Sequence, residues 1–193
     1  MTINQPDRPQ RRKACRALML PLLAGIGLSA HAAGADVAPA LERRVKAAFL
    51  YKFLGYADFA VGSFADATTP VSVGVIGADD IAAELTRIAA GRLVGGRAIA
   101  VRALREQDLA QPLHVLFVAG QDDARAARLL RAANAMLTVT ECDGGLQSGS
   151  VINFTIVDER VRFDVSLDAA EKKNVKLSSR LLTVANRVQK GAS

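Results

Sequence analysis

The stretch SVINFTIVDERVRFDVSLDAAEKKNVKLSSRLLTVA, residues 150–185, does most to decide the fold of this 193-residue chain. It begins with two runs of strand-forming residues, 151–157 and 161–167, in which valine, isoleucine and phenylalanine recur. Only the three polar residues 158–160 separate the two runs, and a connection this short joins antiparallel neighbours. The stretch therefore predicts a β-hairpin near the C-terminal end.

Two helical segments are predicted after the hairpin. Asp168 and Glu171 have the spacing of a capping box, which predicts a short helix that ends near Asn174. Ser178 or Ser179 is then expected to begin a last helix. The apolar residues at helical spacing predict that the buried stripe of this last helix consists of Leu181, Val184, Ala185 and Val188.

Upstream of the hairpin, helical and strand patterns alternate. The predicted order is helix 36–56, strand 71–76, helix 81–90, strand 97–101, strand 114–118, helix 122–133 and strand 136–140. In the first helix the expected buried stripe is Leu41, Val45, Phe49, Phe53 and Tyr56. Alternation of this kind predicts an α/β fold with a central, largely parallel sheet covered by helices. The antiparallel hairpin and a terminal helix complete the predicted architecture.

The N-terminal segment has the pattern of a secretory signal peptide. Five basic residues precede an uncharged stretch, 17–30, and small residues surround His31. We expect residues 1–32 to be removed and residues 33–193 to form a single exported domain of 161 residues. The alternative is an anchor that stays uncleaved. Cys15 lies ahead of the apolar stretch, so it is not placed as a lipoprotein anchor.

The predicted cleavage changes the charge of the protein. The whole chain has 25 basic and 19 acidic residues, and the leader holds five of the former and one of the latter. The processed chain therefore keeps 20 and 18, so its net charge is +2 instead of +6. A charge this close to neutral gives no basic footprint for a nucleic-acid partner.

The processed chain has few residues that could carry out catalysis. Its single histidine, His114, begins a predicted buried strand, where a satisfied structural side chain is the favoured interpretation. No nucleophile–base pair or metal-binding motif is visible, so the sequence does not predict an enzyme, and no cofactor is expected. Cys142 is the one remaining thiol, which excludes an internal disulfide. Neighbouring carboxylates are expected to raise its pKa and to limit its reactivity.

Polar residues beside phenylalanines mark the hairpin as a candidate binding surface. Asn153 precedes Phe154 on the first strand, and Arg162 precedes Phe163 on the second.

A further candidate lies at the start of the predicted last helix, where Arg180 follows Ser179. A positive charge is unfavourable at the N-terminal end of the helix dipole, so Arg180 is expected to have a carboxylate or phosphate nearby. Two alternatives stay open: a buried carboxylate between hairpin and helix, or a ligand or protein partner.

The chain resembles the YfiR/HmsC-like family of periplasmic repressor proteins over nearly all of its processed length. The opening block is VKAAFLYKF at 45–53, and the middle strands contribute VGVIG at 73–77, GRAI at 96–99 and HVLFV at 114–118. The closing blocks are INF at 152–154, VRF at 161–163 and SSRLL at 178–182. The opening and closing blocks together carry the resemblance.

The resemblance implies a function and its partners. Members of the family restrain an inner-membrane diguanylate cyclase by binding its periplasmic domain, which lowers cyclic-di-GMP and biofilm formation. An OmpA-like outer-membrane lipoprotein in turn withdraws them from the cyclase. This reading places the chain in the periplasm, allows a homodimer, and makes Tyr51 and Phe53 of the first helix candidate contacts beside the hairpin. Some members have internal disulfides, which a single Cys142 cannot form.

A second function class remains open, a periplasmic protein that binds a small anion. The ligand would occupy the cleft where the parallel strands end, with Arg180 as an anion-binding residue. A repressor requires an exposed apolar patch, expected from the first helix and the hairpin, whereas a ligand-binding protein requires a deep pocket with convergent polar groups.

Overall fold

The computed structural model describes residue 2 and residues 32–60 and 62–191. The predicted leader, apart from Thr2 and Ala32, lies outside these residues. The helices are α1 (Ala32–Tyr56), α2 (Asp79–Ala89), α3 (Asp123–Ala132), α4 (Leu167–Lys172) and α5 (Ser179–Val184). The strands are β1 (Ala57–Phe59), β2 (Val71–Ile76), β3 (Leu93–Val94), β4 (Arg97–Leu104), β5 (Leu113–Val118), β6 (Ala135–Thr140), β7 (Ile152–Val157), β8 (Arg160–Ser166), β9 (Val175–Leu177) and β10 (Arg187–Gln189).

Eight of these strands form one mixed sheet in the order β10-β8-β7-β6-β5-β2-β4-β3. The five strands from β7 to β4 in this order are mutually parallel, as the alternating pattern predicts. Antiparallel pairs occur at β7–β8 and β3–β4, and β10 runs parallel to β8. A separate small sheet joins β1 to β9. The largely parallel sheet and the hairpin are therefore confirmed.

The predicted hairpin forms with a two-residue turn. Asp158 and Glu159 both have left-handed backbone angles, with φ of 48° and 58°. Two central residues with positive φ give the turn geometry that matches the twist of neighbouring strands. The cross-strand partner of Phe154 is Phe163, so both rings lie on one face of the hairpin.

The central strand β5 is buried on both faces. Val115 and Phe117 belong to an apolar cluster that includes residues of α1 and α2. Leu116 and Val118, which alternate with them, belong to a second cluster that includes residues of α3. The unbroken apolar run at 113–118 is explained by this burial, because a strand between two apolar layers has no solvent-facing side.

A cluster of five phenylalanine rings joins α1 to the hairpin. The centroid of Phe53 lies 5.0 Å from that of Phe163 and 5.7 Å from that of Phe154. Phe49 and Phe117 complete the cluster at centroid distances of 5.6 to 6.1 Å from its members. The hairpin therefore contributes two of the five rings, Phe154 and Phe163, to the contact that holds the first helix.

The predicted terminal helix is shorter than expected. Helix α5 ends at Val184, and the chain then extends into β10, which pairs with β8. At the start of this pairing, the Asn186 N–H donates to the Phe163 carbonyl at 2.8 Å. Without β10, the backbone groups at the end of β8 would form an open sheet edge. The stripe prediction is correct for Leu181 and wrong for Val184, which is 60% exposed, and for Val188, which lies on β10.

Two further expectations about the helices are wrong. Ser166 caps α4 by accepting from the Ala169 N–H at 3.2 Å, so Asp168 is not the cap. Leu41 is 60% exposed, since α1 extends beyond the sheet that buries its later turns. Within the residues that the structure describes, no helix combines the length and the apolar character needed to span a membrane.

Candidate functional site

A crevice lies beyond the carboxyl end of β6, between α1 and the hairpin. Its volume is about 270 Å³, and we call it the strand-end crevice. Its charged lining residues and one buried amide are Glu42, Lys46, Glu141, Asp143, Asn153, Asp164 and Arg187, and Leu146, Phe154 and Ile156 form apolar parts of its wall. The reversal of strand order between β2 and β5, where α/β sheets commonly open a crevice, lies at a second cavity of about 230 Å³ beside Gly77 and Gly120.

Lys46 provides the most buried positive charge of this crevice. It is 5% exposed, and its ammonium group contacts carboxylate oxygens of Glu42 and Glu141, each at 2.5 Å. Burial alone would lower the pKa of Lys46, but the hydrogen bonds and charges of the two glutamates outweigh it and raise the pKa. The second carboxylate oxygen of Glu141 accepts from the Gly120 N–H at 2.7 Å. The triad therefore ties α1 to the loops after β5 and β6.

A second ion pair stands on the hairpin side of the crevice. Asp164, which is 5% exposed, accepts from Arg187 at 2.7 Å and from the Asn186 side-chain amide at 2.8 Å. Both donors come from the segment that ends α5 and begins β10. The tail strand thus supplies the partners of a carboxylate that the hairpin buries.

Asn153 lies between these ion pairs. It is 6% exposed, and its Oδ1 accepts from the Thr140 hydroxyl at 2.7 Å. The Thr140 hydroxyl also contacts that of Ser150 at 2.8 Å. No residue that the structure describes is a hydrogen-bond partner for Asn153 Nδ2, and Asn153 lines the crevice. The strand-end crevice therefore contains one oriented amide N–H donor that is available to a ligand.

The crevice is acidic overall. Four carboxylates and two basic groups line it, which leaves a net charge of −2. Both basic groups, Lys46 and Arg187, already contact carboxylates. Arg180, the predicted anion-binding residue, does not line this crevice. The polarity of the site is thus opposite to that expected for an anion.

The aromatic cluster opens onto an exposed apolar surface. Val45 and Leu41 continue the helical line of Phe53 and Phe49 at four-residue spacing, and exposure rises from 0% at Phe53 to 60% at Leu41. On the hairpin, Ile156 continues the face of Phe154 and is 52% exposed, and its cross-strand partner is the partly buried Val161. We call Leu41, Val45, Ile156 and Val161 the exposed apolar edge.

The candidate residues taken from the sequence differ in exposure and in position. Phe53, Phe154 and Phe163 are at most 2% exposed, so they support a surface from within and do not form it. Tyr51 is half-buried, with the Arg92 guanidinium 5.2 Å from its ring centroid, and lines a different cavity of about 590 Å³ between α1 and β3. The exposed members are Arg162, Ser179 and Arg180.

The expectation of a buried carboxylate beside Arg180 is wrong. Arg180 is exposed, and it makes no ion pair with any residue in the described part of the chain. The buried carboxylate does exist as Asp164, but Arg187 is its partner. Arg187 comes close because β10 pairs with β8, and the prediction of a longer last helix placed it elsewhere.

The sequence interpretation also missed Lys46 and Glu141. Lys46 lies off the predicted apolar stripe of the first helix, yet it is only 5% exposed. Its partner Glu141 is 95 residues away along the chain, so local pattern could not pair them. The available clue was the position of Glu141 directly after a buried strand, where side chains of parallel sheets converge.

His114 is a satisfied strand residue, as the sequence favoured. Its Nδ1 accepts from the Ser72 N–H at 3.0 Å, which places the ring proton on Nε2, and Nε2 donates to the Ser63 carbonyl at 3.1 Å. The ring stacks on Phe64 with centroids 4.2 Å apart. Burial is the main cause that lowers the pKa of His114, so the neutral form is favoured.

Cys142 is buried, with 1% exposure, against residues of α3. Burial is the main cause that raises the pKa of its thiol to about 12, and Asp123 acts in the same direction. The predicted direction is correct, although Asp123 of α3 contributes more than the adjacent Asp143. A buried, protonated thiol cannot form a disulfide with a second chain in the folded state.

We expect native Cys142 to react with an Ellman-type reagent at pH 8 far more slowly than the unfolded chain does. The reason is that the thiol is buried and its pKa is far above the value of about 8.5 for a free cysteine. The processed chain should also have the same melting temperature with and without reductant. Rapid labelling of the folded protein, or a lower melting temperature in reductant, would contradict this expectation.

Comparisons with known proteins address the fold and the family. A crystal structure of a conserved domain protein from Vibrio cholerae O1 biovar El Tor strain N16961 is similar, with a TM-score of 0.52 and 11% sequence identity. The similarity covers 76% of this chain, which spans 60% of the V. cholerae protein, and at this identity it concerns the fold alone. No curated protein matches the sequence.

The sequence profile of the YfiR/HmsC-like family matches residues 43–186. This range runs from the second half of α1 to the residue before β10, and it includes the aromatic cluster, the hairpin and Lys46. The match covers well over half of the chain, and the chain therefore belongs to the YfiR/HmsC-like family, whose members are regulators in cyclic-di-GMP signalling.

Proposed function

We propose that this protein is a periplasmic repressor of an inner-membrane diguanylate cyclase. It is exported by the predicted signal peptide, binds the periplasmic domain of the cyclase, and so lowers cyclic-di-GMP and biofilm formation. Family membership supports the signalling role. The observation that carries the proposal is the exposed apolar edge, because a regulator without chemistry of its own acts by binding and needs a surface for it.

The exposed apolar edge is suited to a partner because it is held rigidly. Phe49, on the helical line that continues to Val45 and Leu41, packs against Phe154 and Phe163 with ring centroids 6.1 and 5.6 Å away. Phe154 is buried and lies on the same strand face as Ile156. Rigid apolar side chains lose little conformational entropy on binding, so more of the contact energy contributes to affinity. A partner that covered Leu41 and Ile156 would remove from water two large side chains that are 60% and 52% exposed.

Two exposed arginines are proposed to orient the partner. Arg162 and Arg180 are exposed and make no ion pairs with the described residues, so an acidic partner would find both guanidinium groups free. Charges at the rim of an interface mainly increase the association rate and the specificity. Ser179 is proposed as a peripheral contact of the same interaction. Tyr51 lines the cavity beside β3 together with Leu93, so no contact with the cyclase is proposed for it.

Release of the cyclase is proposed to follow from competition. An OmpA-like outer-membrane lipoprotein that covers the exposed apolar edge would withdraw the repressor, because one surface cannot contact two partners at once. A homodimer formed through the same edge would have the same effect on the cyclase. The proposal thus predicts that binding of the cyclase and binding of the lipoprotein are mutually exclusive.

We expect Ile156→Asp and Leu41→Asp to abolish repression while the protein still folds. A charge at the centre of an apolar contact typically costs about 2 kcal/mol of binding energy or more, which is about thirtyfold in affinity. Both sites are more than half exposed, so the change in folding stability should stay below about 1 kcal/mol. Repression is measured as cyclic-di-GMP in a deletion strain that expresses each variant, and binding as copurification of the cyclase.

Leu93→Asp is the matched control. Leu93 is 63% exposed, but it lies on β3 at the far end of the sheet order from the hairpin. This variant should repress like the original protein. If Ile156→Asp and Leu41→Asp both fold and repress normally, the exposed apolar edge is not the partner surface.

A further inference from the structure

We propose that the strand-end crevice binds a small hydroxylated amine, the chemical class of the amino sugars. Three observations lead to this class: the net charge of the crevice, the free amide of Asn153 and the polar character of the lining. Ile156 of the exposed apolar edge also lines the crevice, whereas Leu41, Val45 and Val161 do not. The proposal concerns ligand binding by the purified chain, so it does not depend on the repressor function.

The charge of the crevice selects a cation. Of its four carboxylates, Asp164 is matched by Arg187, and Glu42 and Glu141 share the single charge of Lys46. The carboxylate of Asp143 is exposed and has no ion pair among the described residues. The unmatched charge of −2 would favour a ligand ammonium group and oppose an anion.

The Asn153 amide points to a ligand that hydrogen-bonds. Asn153 is 94% buried, and the contact with Thr140 uses its Oδ1, so Nδ2 faces the crevice without a partner in the described residues. No fully buried side-chain N or O atom of the described residues lacks a hydrogen-bond partner, so Nδ2 reaches the solvent of the crevice, where a ligand can replace water. A hydroxyl oxygen of the ligand would satisfy Nδ2.

The architecture keeps this amide in place. Gly145 packs against the Thr140–Asn153 pair so closely that a Cβ at this position would overlap Asn153 Oδ1 and Thr140 Oγ1. The close packing of the loop after β6 therefore restricts the orientation of the Asn153 amide. A preorganised amide binds a ligand without losing further side-chain freedom.

The size and lining of the crevice favour a hydroxylated molecule. The cavity of about 270 Å³ is just below the usual size of ligand sites, so only a small molecule would fit. Besides the charged groups, its lining combines the polar Gln121, Gln147 and Thr155 with the apolar Leu146, Phe154 and Ile156. The amides and the hydroxyl match hydroxyl groups of a ligand, and the apolar side chains match its carbon skeleton.

The test uses the purified full chain with glucosamine, glucose and inorganic phosphate as probes, measured by calorimetry and by thermal shift. Glucosamine and glucose differ at one position, where an ammonium group replaces a hydroxyl. We expect glucosamine to bind and to raise the melting temperature. Glucose should bind at least about tenfold more weakly than glucosamine, and phosphate should not compete with glucosamine.

Two variants connect the binding to the crevice. Asp143→Asn removes the exposed carboxylate without touching the core, and it should weaken glucosamine binding several-fold. Glu171→Gln makes the same change of charge on α4, outside the crevice, and should have no effect. Asn153→Ala should lose binding, and circular dichroism shows whether it remains folded.

The outcomes separate the possibilities. Equal binding of glucose and glucosamine would overturn the charge argument, and displacement of glucosamine by phosphate would show an anion site. Absence of glucosamine binding at about 10 mM, tenfold above a weak Kd of about 1 mM, would overturn the proposal. Binding that Asp143→Asn and Glu171→Gln weaken equally would mean general charge attraction and would also overturn it.

Discussion

Replacing Phe53 by alanine is expected to lower the free energy of unfolding by about 3–5 kcal/mol. Phe53 is 0% exposed and lies at the centre of the aromatic cluster, with ring centroids of Phe49, Phe154 and Phe163 at 5.0 to 6.0 Å. The change removes the transfer energy of a whole ring and leaves a cavity between α1 and the hairpin, and edge contacts between rings add to the loss.

Urea unfolding followed by circular dichroism measures this effect. The control is Phe49→Ala, since Phe49 is only half-buried at the edge of the same cluster and should cost clearly less than Phe53→Ala. A loss below about 1 kcal/mol for Phe53→Ala would mean that α1 is not anchored by the hairpin. The exposed apolar edge would then lack its rigid support.

Replacing Lys46 by methionine is expected to cost about 3 kcal/mol of stability at pH 7. The side chain is 6% exposed, and its loss leaves Glu42 and Glu141 close together without a counter-charge. Glu141 is 13% and Glu42 39% exposed, which places the loss at the lower end of the range for a broken buried ion pair.

A pH series and a double variant identify the cause. In the original chain, the raised Lys46 pKa means that its stabilisation is present below about 10.4 and is lost as the pH rises through the folded-state pKa. Lys46→Met with Glu141→Gln should recover part of the loss. No recovery would show that lost packing, and not charge, explains the effect.

The sequence predicted the sheet and the hairpin because these elements follow from local patterns. The apolar run at 113–118 indicated a strand buried on both faces, and the short turn at 158–160 required antiparallel neighbours. Leu41 shows the limit of such patterns. Its helical spacing matches the buried stripe, but the sheet does not extend far enough to cover it.

The site could be predicted only in part. Asn153 was identified as an unusual polar residue beside a phenylalanine, and it does line a cavity. The ion pairs that surround it join Lys46 to Glu141 and Asp164 to Arg187, over separations of 95 and 23 residues. These pairs depend on how α1 and β10 dock onto the sheet, so neither spacing nor composition reveals them. The buried carboxylate considered for Arg180 is paired with Arg187 instead, because α5 ends one turn early and the tail pairs with β8.

The concentration of cyclic-di-GMP in a strain that lacks this gene tests the central claim most directly. The account predicts that deletion raises cyclic-di-GMP, that the original gene restores the lower level, and that a gene with Ile156→Asp does not. Unchanged cyclic-di-GMP after deletion, with the cyclase present and active, would contradict the repressor function.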